Sequence, residues 1–139
     1  MHAAELGIVL RVSPDSRCKN RDLLMPLDSY VLIIGNLLEN AIEELVSSGK
    51  DEKEITLGLY LTEEGSLITC EDTGRGVHKD ILPAIFEKGV SSKGEGRGTG
   101  LNLVSQIVKK HGGEINIDTE TDEGSIITVS IERKEPKHV

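Results

Sequence analysis

Seven of the chain's fifteen glycines (Gly74, Gly76, Gly89, Gly94, Gly96, Gly98 and Gly100) fall within one stretch of the sequence. Glycine costs a helix interior about 1 kcal/mol per residue relative to alanine, and it weakens strand interiors too. The region from Thr73 to Gly100 therefore cannot form one long regular element, and only a short helix near Asp80 to Phe86 is expected to interrupt it.

Regular elements are legible on both sides. Gly7 to Val12 reads as a short apolar strand closed by Ser13-Pro14-Asp15-Ser16. Asp28 or Ser29 is a plausible N-cap for a helix from about Asp28 to Val46, along which Val31, Ile34, Leu38, Ala41 and Leu45 recur at helical spacing. Ser47-Ser48-Gly49-Lys50 ends it. A hairpin follows, with Ile55, Leu57, Leu59 and Leu61 alternating with polar or small residues, a turn at Glu63 to Ser66, and a return strand from Leu67 to Glu71. After the glycine-rich region, a second helix spans about Leu101 to His111, with Leu101, Val104 and Val108 on one face and Gly112-Gly113 as its stop. A last hairpin pairs Glu114 to Glu120 with Ser125 to Arg133, directing Ile127, Val129 and Ile131 to one side. Hairpins mixed with helices, without regular βαβ alternation, predict an α+β two-layer sandwich and not a doubly wound sheet.

Composition narrows the function. A chain of 139 residues suits one domain, and its core must be built from Leu, Ile and Val, because Tyr30, Tyr60 and Phe86 are its whole aromatic set. So few aromatics argue against stacking of single-stranded bases. The formal net charge of -8 opposes nucleic acid and anionic membranes as partners. Arg11, Arg17, Lys19 and Arg21, with Asp15 among them, read as a solvated loop. Cys18 and Cys70 have no CxxC spacing, which leaves two reduced thiols as the expectation. No apolar run reaches membrane-spanning length and no signal peptide is evident.

Four features carry chemistry. Asn36 and Asn40 lie one turn apart on the long helix; their carbonyl oxygens suit magnesium, which takes hard oxygen ligands while keeping waters and substrate phosphates. Asp72-Thr73-Gly74-Arg75-Gly76 follows a strand. Its carboxylate can accept a hydrogen bond from the exocyclic amino group of adenine, while Gly74 and Gly76 permit close approach of a flat ring. Gly94-Glu95-Gly96-Arg97-Gly98-Thr99-Gly100-Leu101 opens onto a helix, where free N–H groups favour phosphate, with Lys88, Lys93 and Arg97 adding charge nearby. It is neither a dinucleotide fingerprint nor a P-loop, since it lacks the preceding βαβ strand and the GK[ST] ending. Gly112-Gly113 and Gly124-Ser125 complete the set. Each feature alone also reads as ordinary structure: solvent-facing amides, a turn, a linker, hairpin glycines.

Together, in this order, they resemble the N box (Asn36, Asn40), first glycine box (Asp72, Gly74, Gly76), F box (Phe86) and second glycine box (Gly96, Gly98, Gly100) of histidine-kinase ATPase domains. Gly124 and Ser125 resemble the later Gly-Thr element. The superfamily, GHKL or Bergerat-fold ATPases, also holds DNA gyrase, a heat-shock chaperone and a mismatch-repair ATPase. Gly89-Val90-Ser91-Ser92-Lys93-Gly94 looks like the citrate and dicarboxylate sensor kinases. The resemblance covers about residues 5 to 133 and implies one domain over 1–139, with a mixed five-stranded sheet and three helices on one face. It implies that Mg-ATP lies between the Asn-bearing helix and a glycine-rich lid at residues 87 to 99, which orders when nucleotide binds. Asp72, Gly74 and Gly76 would take adenine. Asn40 with Asn36 would hold magnesium and stand nearest the chemistry. Lys93, Gly96, Arg97, Gly98, Thr99, Gly100 and Leu101 would meet the phosphates. One departure is Glu43, at a position where many members carry lysine.

In the hydrolysing relatives the first N-box position is a glutamate that activates water. Here it is Asn36, an amide that cannot act as general base. Glu39 points elsewhere, because each residue turns a helix by about 100°. The expected activity is thus transfer of the γ-phosphate to a protein histidine in a two-component system, which rests on positioning and charge stabilisation. None of His2, His78, His111 and His138 is followed by an acidic residue, as a phosphoacceptor usually is. The acceptor, the sensor and, through the parent, a response regulator are expected outside this sequence, with the chain as the cytoplasmic domain of a membrane-anchored kinase that autophosphorylates poorly alone. A non-catalytic ATP-binding module and an anti-sigma-type serine kinase share these motifs and remain alternatives.

Overall fold

Strand β1 (Val9–Val12), helix α1 (Leu27–Ser48), strands β2 (Glu54–Leu61) and β3 (Gly65–Asp72), helix α2 (Thr99–Lys110) and strands β4 (Glu114–Glu120) and β5 (Gly124–Glu132) follow one another along the chain. The structure, a computed structural model, describes residues 7–13, 23–62, 64–74, 99–120 and 123–132. The five strands form one mixed sheet in the order β1-β2-β3-β5-β4. β1 pairs parallel with β2, and the remaining pairs are antiparallel. The expected α+β sheet is therefore present, with two helices among the described residues. The short helix expected near Asp80 to Phe86 lies outside them.

Strand alternation divides the sheet into two faces. Ser66, Ile68, Cys70 and Asp72 of β3 are buried, as are Ser125, Ile127, Val129 and Ile131 of β5, while Leu67 and Glu71 between them are exposed. The buried face packs on α1 and α2. Ile33, Leu37, Leu45, Ile55, Ile68, Val104, Val108 and Val129 are fully enclosed. Each such side chain contributes about 1.5–3 kcal/mol relative to exposure, so an aliphatic core suffices with one buried tyrosine, Tyr30. On α2, Leu101, Val104 and Val108 are the buried face, as their spacing predicts.

α1 departs from the sequence reading in two ways. Its buried stripe is Tyr30, Ile33, Leu37, Leu38, Ala41, Leu45 and Ser48, whereas Val31 is 62% exposed and Ile34 only half-buried. Apolar residues occur on adjacent faces of this helix, and the spacing rule is satisfied by either; contact with the sheet chooses. Second, neither Asp28 nor Ser29 is the N-cap. Pro26 (φ -54°, ψ 146°) is, with no side-chain cap. Proline pre-sets the φ of the entry, and Asp28 falls instead in the first turn, where an anion favours the helix dipole. The expected stop is present: Gly49 adopts the left-handed conformation (φ 71°).

Candidate functional site

α1 presents the Asn36 amide toward the start of α2. The Asn36 Nδ2 donates to the Leu32 carbonyl at 2.7 Å, which ties the amide nitrogen to the helix and leaves Oδ1 facing outward. Gly100 sits opposite: a Cβ there would lie 3.2 Å from Asn36 Oδ1, tighter than ordinary contact. The first turn of α2, from Thr99 through Gly100 to the buried Leu101, thus abuts Asn36. Backbone N–H groups of a first helical turn have no intrahelical partner and favour anions. Asn40 lies one turn further along α1 and is half-buried.

The Asp72 turn meets the same helix one turn beyond. Asp72, 5% exposed, ends β3 on the helix-facing side. Its Oδ1 accepts the Gly74 N–H at 2.8 Å. A Cβ on Gly74 would stand 2.8 Å from Asp72 Oδ1 and 3.1 Å from Glu44 Cγ, so a larger residue there would have to displace the carboxylate or the Glu44 side chain. Asn36, Asn40 and Glu44 are spaced by four, hence on one face, over about 12 Å at 1.5 Å rise per residue. The α2 start stands at one end of this row, the Asp72 turn at the other, and Asn40 between them. Glu44 was given no role by sequence reasoning. Its spacing from Asn40 was the available signal, but only the fold shows that the Asp72 turn lands on it. Glu43, in the place of the common lysine, is its half-buried neighbour.

The connection after α1 fixes the turn from outside. Thr73 N–H donates to the Glu54 carbonyl at 3.2 Å, Glu54 N–H donates to Thr73 Oγ1 at 3.0 Å, and Thr73 Oγ1 donates to the Glu52 carbonyl at 3.4 Å. The Lys50 ammonium donates to the Gly74 carbonyl at 2.9 Å. On the other side of β3, Asp72 pairs in register with Ser125. Gly124 has φ 122°, a conformation L side chains rarely adopt, and any Cβ there would overlap the Asp72 carbonyl. The buried Ser125 donates to Thr119 Oγ1 at 3.1 Å, and Thr119 Oγ1 donates to the Gly124 carbonyl at 3.2 Å. A shallow cavity of about 380 Å³ borders these strand ends from the side of Glu71, Asp118 and Ile126. Neither asparagine lines it, so it is separate from the α1 row.

Beneath the site, the Cys70 Sγ faces the Leu37 carbonyl at 3.7 Å. Burial, with the Asp72 charge adding to it, pushes this thiol up to about 12. A buried neutral thiol packs as a small apolar group.

Of the sequence-predicted set, Gly100 lies against Asn36, and Gly74 lies against Glu44 with its N–H on Asp72; Asn40 stands between them on α1, and Thr99 and Leu101 flank Gly100 in the first turn of α2. Gly76, Lys93, Gly96, Arg97, Gly98 and Phe86 lie outside the described residues, as does all of the expected lid but Thr99. An amide oxygen beside a helix start, across from a glycine whose Cβ would crowd it, with a second asparagine one turn on, fits a hard cation carrying phosphates. Among the described residues no cluster of His, Cys, Asp and Glu could hold a metal. No helix among the described residues is long and apolar enough to cross a membrane.

Comparison with known proteins identifies the family and the fold. Residues 27–135 match the profile of the family described as histidine kinase-, DNA gyrase B-, and HSP90-like ATPase. The chain is 36% identical over 141 residues to the sensor protein CitS of Halalkalibacterium halodurans, covering 97% of this chain and 25% of that protein. It is 31% identical to the sensor histidine kinase DpiB of Escherichia coli, covering 96% of this chain and 25% of that protein. The chain thus spans about a quarter of the length of these curated relatives. Among solved structures, the catalytic domain of histidine kinase ThkA superposes with a TM-score of 0.71 at 19% identity, over 93% of this chain and 81% of that one. Full-length ShkA in complex with AMPPNP gives 0.69 at 22% identity, over 93% of this chain and 26% of that one. At such identities the structures speak for the fold.

Proposed function

Because this chain belongs to the histidine kinase-, DNA gyrase B-, and HSP90-like ATPase family, we propose that it binds Mg-ATP along the Asn36–Asn40–Glu44 face of α1 and donates the γ-phosphate to a histidine on a separate phosphoacceptor domain. The observation that carries this reading is the single helical row that meets the Asp72 turn at Glu44 and Gly100 at Asn36.

Asp72 accepts the exocyclic amino group of adenine at the strand end, in the space that Gly74 leaves without a side chain. Ser125, its cross-strand partner, places a hydroxyl beside the same base. Asn40, with Asn36, holds magnesium on the phosphates; bound there, the ion offsets charge on the phosphate oxygens. The N–H groups at Thr99, Gly100 and Leu101 receive the phosphate tail, and Gly76, Lys93, Gly96, Arg97 and Gly98 extend the site by their motif positions. Asn36 has no basic lone pair with which to activate water, which favours transfer over hydrolysis. Transfer by positioning and charge stabilisation asks little more of the domain.

In this reading residues 1–139 form one catalytic domain, cytoplasmic, of a membrane-anchored sensor kinase that serves a response regulator. The similarity to CitS, and to a probable C4-dicarboxylate sensor kinase of Bacillus subtilis at 29% identity, supports that setting. Titration with ATP and GTP, each with and without magnesium, tests the site. Binding of ATP alone, strengthened by magnesium, is expected; equal affinity for GTP would remove Asp72 from the adenine role.

A further inference from the structure

The turn that carries Asp72 is steadied by a cation outside the proposed nucleotide site. Ser48, buried at the end of α1, donates to the Leu45 carbonyl at 2.7 Å and accepts the Lys50 N–H at 3.2 Å. Gly49, between them, turns the chain with φ 71°. The Lys50 backbone is thereby pinned, and its half-buried side chain reaches across to the Gly74 carbonyl at 2.9 Å. Gly74 is thus held at both of its backbone polar groups, the N–H on Asp72 Oδ1 and the C=O on Lys50 Nζ.

We propose that Lys50 is a positioning residue for adenine recognition, fixing the Gly74 backbone so that the Asp72 carboxylate keeps its orientation toward the base. This rests on the reading of Asp72 as the adenine acceptor. Glycine has no side chain to restrain its own φ and ψ, so Gly74 depends on its hydrogen bonds for a fixed conformation. The Thr73 bonds to Glu52 and Glu54 secure the residue before it; beyond Gly74, Lys50 supplies the restraint. Release of the Gly74 carbonyl frees the backbone whose N–H orients Asp72 Oδ1. The charge-assisted bond from an ammonium is stronger than a neutral one, which suits the restraint of a residue without a side chain. The bond from Lys50 to the Gly74 carbonyl lies at the Asp72 turn, whereas Gly100 meets α1 two turns away at Asn36, so its effect falls on the base.

The test compares ATP with inosine triphosphate, which carries a carbonyl where adenine has its amino group, by calorimetric titration of the whole chain. The unaltered chain should prefer ATP. Lys50→Met should lower ATP affinity about tenfold, the scale of one charge-assisted hydrogen bond, and leave inosine triphosphate binding nearly unchanged, so that the preference collapses. Lys50→Arg, which keeps a cation and N–H donors, should restore most of it. A Lys50→Met chain that retains the full preference, or that loses both nucleotides equally, overturns the role of Lys50. No preference in the unaltered chain overturns the adenine reading itself, and with it the ground on which Lys50 acts.

Discussion

β3 buries polar groups at both ends, with opposite consequences. At its start, Ser66 Oγ and Tyr30 Oη lie 2.6 Å apart, and Tyr30 Oη also accepts the Leu24 N–H at 3.0 Å. Tyr30 and Ser66 are 3% and 4% exposed. This end is closed: neutral groups from one fold answer each other, and they join α1 and the segment before it to the sheet. At its end, Asp72 is equally buried but is a carboxylate, on a turn where a Cβ on Gly74 would crowd it and whose brace comes from a separate loop. Burying a charge costs far more than burying a hydroxyl. A fold that needed only a hydrogen bond there could use a neutral residue. The contrast sets a polar pair that stabilises against a buried carboxylate whose proposed role is to meet a ligand.

Replacing Asp72 with Asn should have the largest effect on function. The amide retains an acceptor for the Gly74 N–H but loses the charge, so ATP affinity should fall by about 2 kcal/mol with little loss of stability. Calorimetry showing unchanged ATP affinity would erase the distinction between the two ends. Tyr30→Phe should do the reverse. It strands the Leu24 N–H and the Ser66 hydroxyl, and denaturant unfolding should report a loss of about 1.5 kcal/mol while ATP affinity stays fixed. If this variant weakened ATP as much as the Asp72 change, the ends would be one coupled unit.

Asn40→Ala probes the middle of the row. The fold should persist, since alanine favours helix, while the enhancement of ATP binding by magnesium should shrink by about 1 kcal/mol, the net worth of one polar contact. Equal enhancement in variant and parent would take Asn40 out of the metal site.

These residues differ in how far the sequence alone reveals them. Asp72 is legible because a strand pattern stops at it and glycines follow. Asn36 and Asn40 are legible as an i, i+4 pair. Their relation to Gly100 is not, since it depends on how α1 packs on α2, and the apolar residues on neighbouring faces of α1 do not choose the orientation: Val31 suits the core by spacing and is exposed. The pairing of Asp72 with Ser125 depends on strand register, which alternation limits to a parity and not to a partner. Lys50 is less legible still, because a lysine after a helix stop reads as solvated until the turn it reaches is known. Four strands were readable from alternation between turn residues and β1 from its apolar run; their order in the sheet was not, for it follows from the antiparallel return of β5 onto β3.

Cys70 offers the smallest and most selective test, because it stands on β3 between the two ends and faces the same side. Its thiol is raised from 9.0 to about 12 by burial first and by the Asp72 charge second. The sign follows from linkage: below 9.0 the thiol is protonated in both folded and unfolded chains, and no stability is lost. Between 9.0 and about 12 the unfolded chain ionises while the folded chain does not, so stability falls as pH rises through that window. By pH ~9.5 the loss should be just under about 1 kcal/mol. Cys70→Ala should remove this alkaline slope, at the cost of a small cavity that lowers stability equally at every pH. The slope is read by denaturant unfolding at a series of pH values. Asp72→Asn, which deletes the nearby charge but not the burial, should leave most of the slope in place. Were the Asp72 variant to flatten it fully, charge and not burial would govern this thiol, and the carboxylate would reach further into the core than its place at the strand end implies.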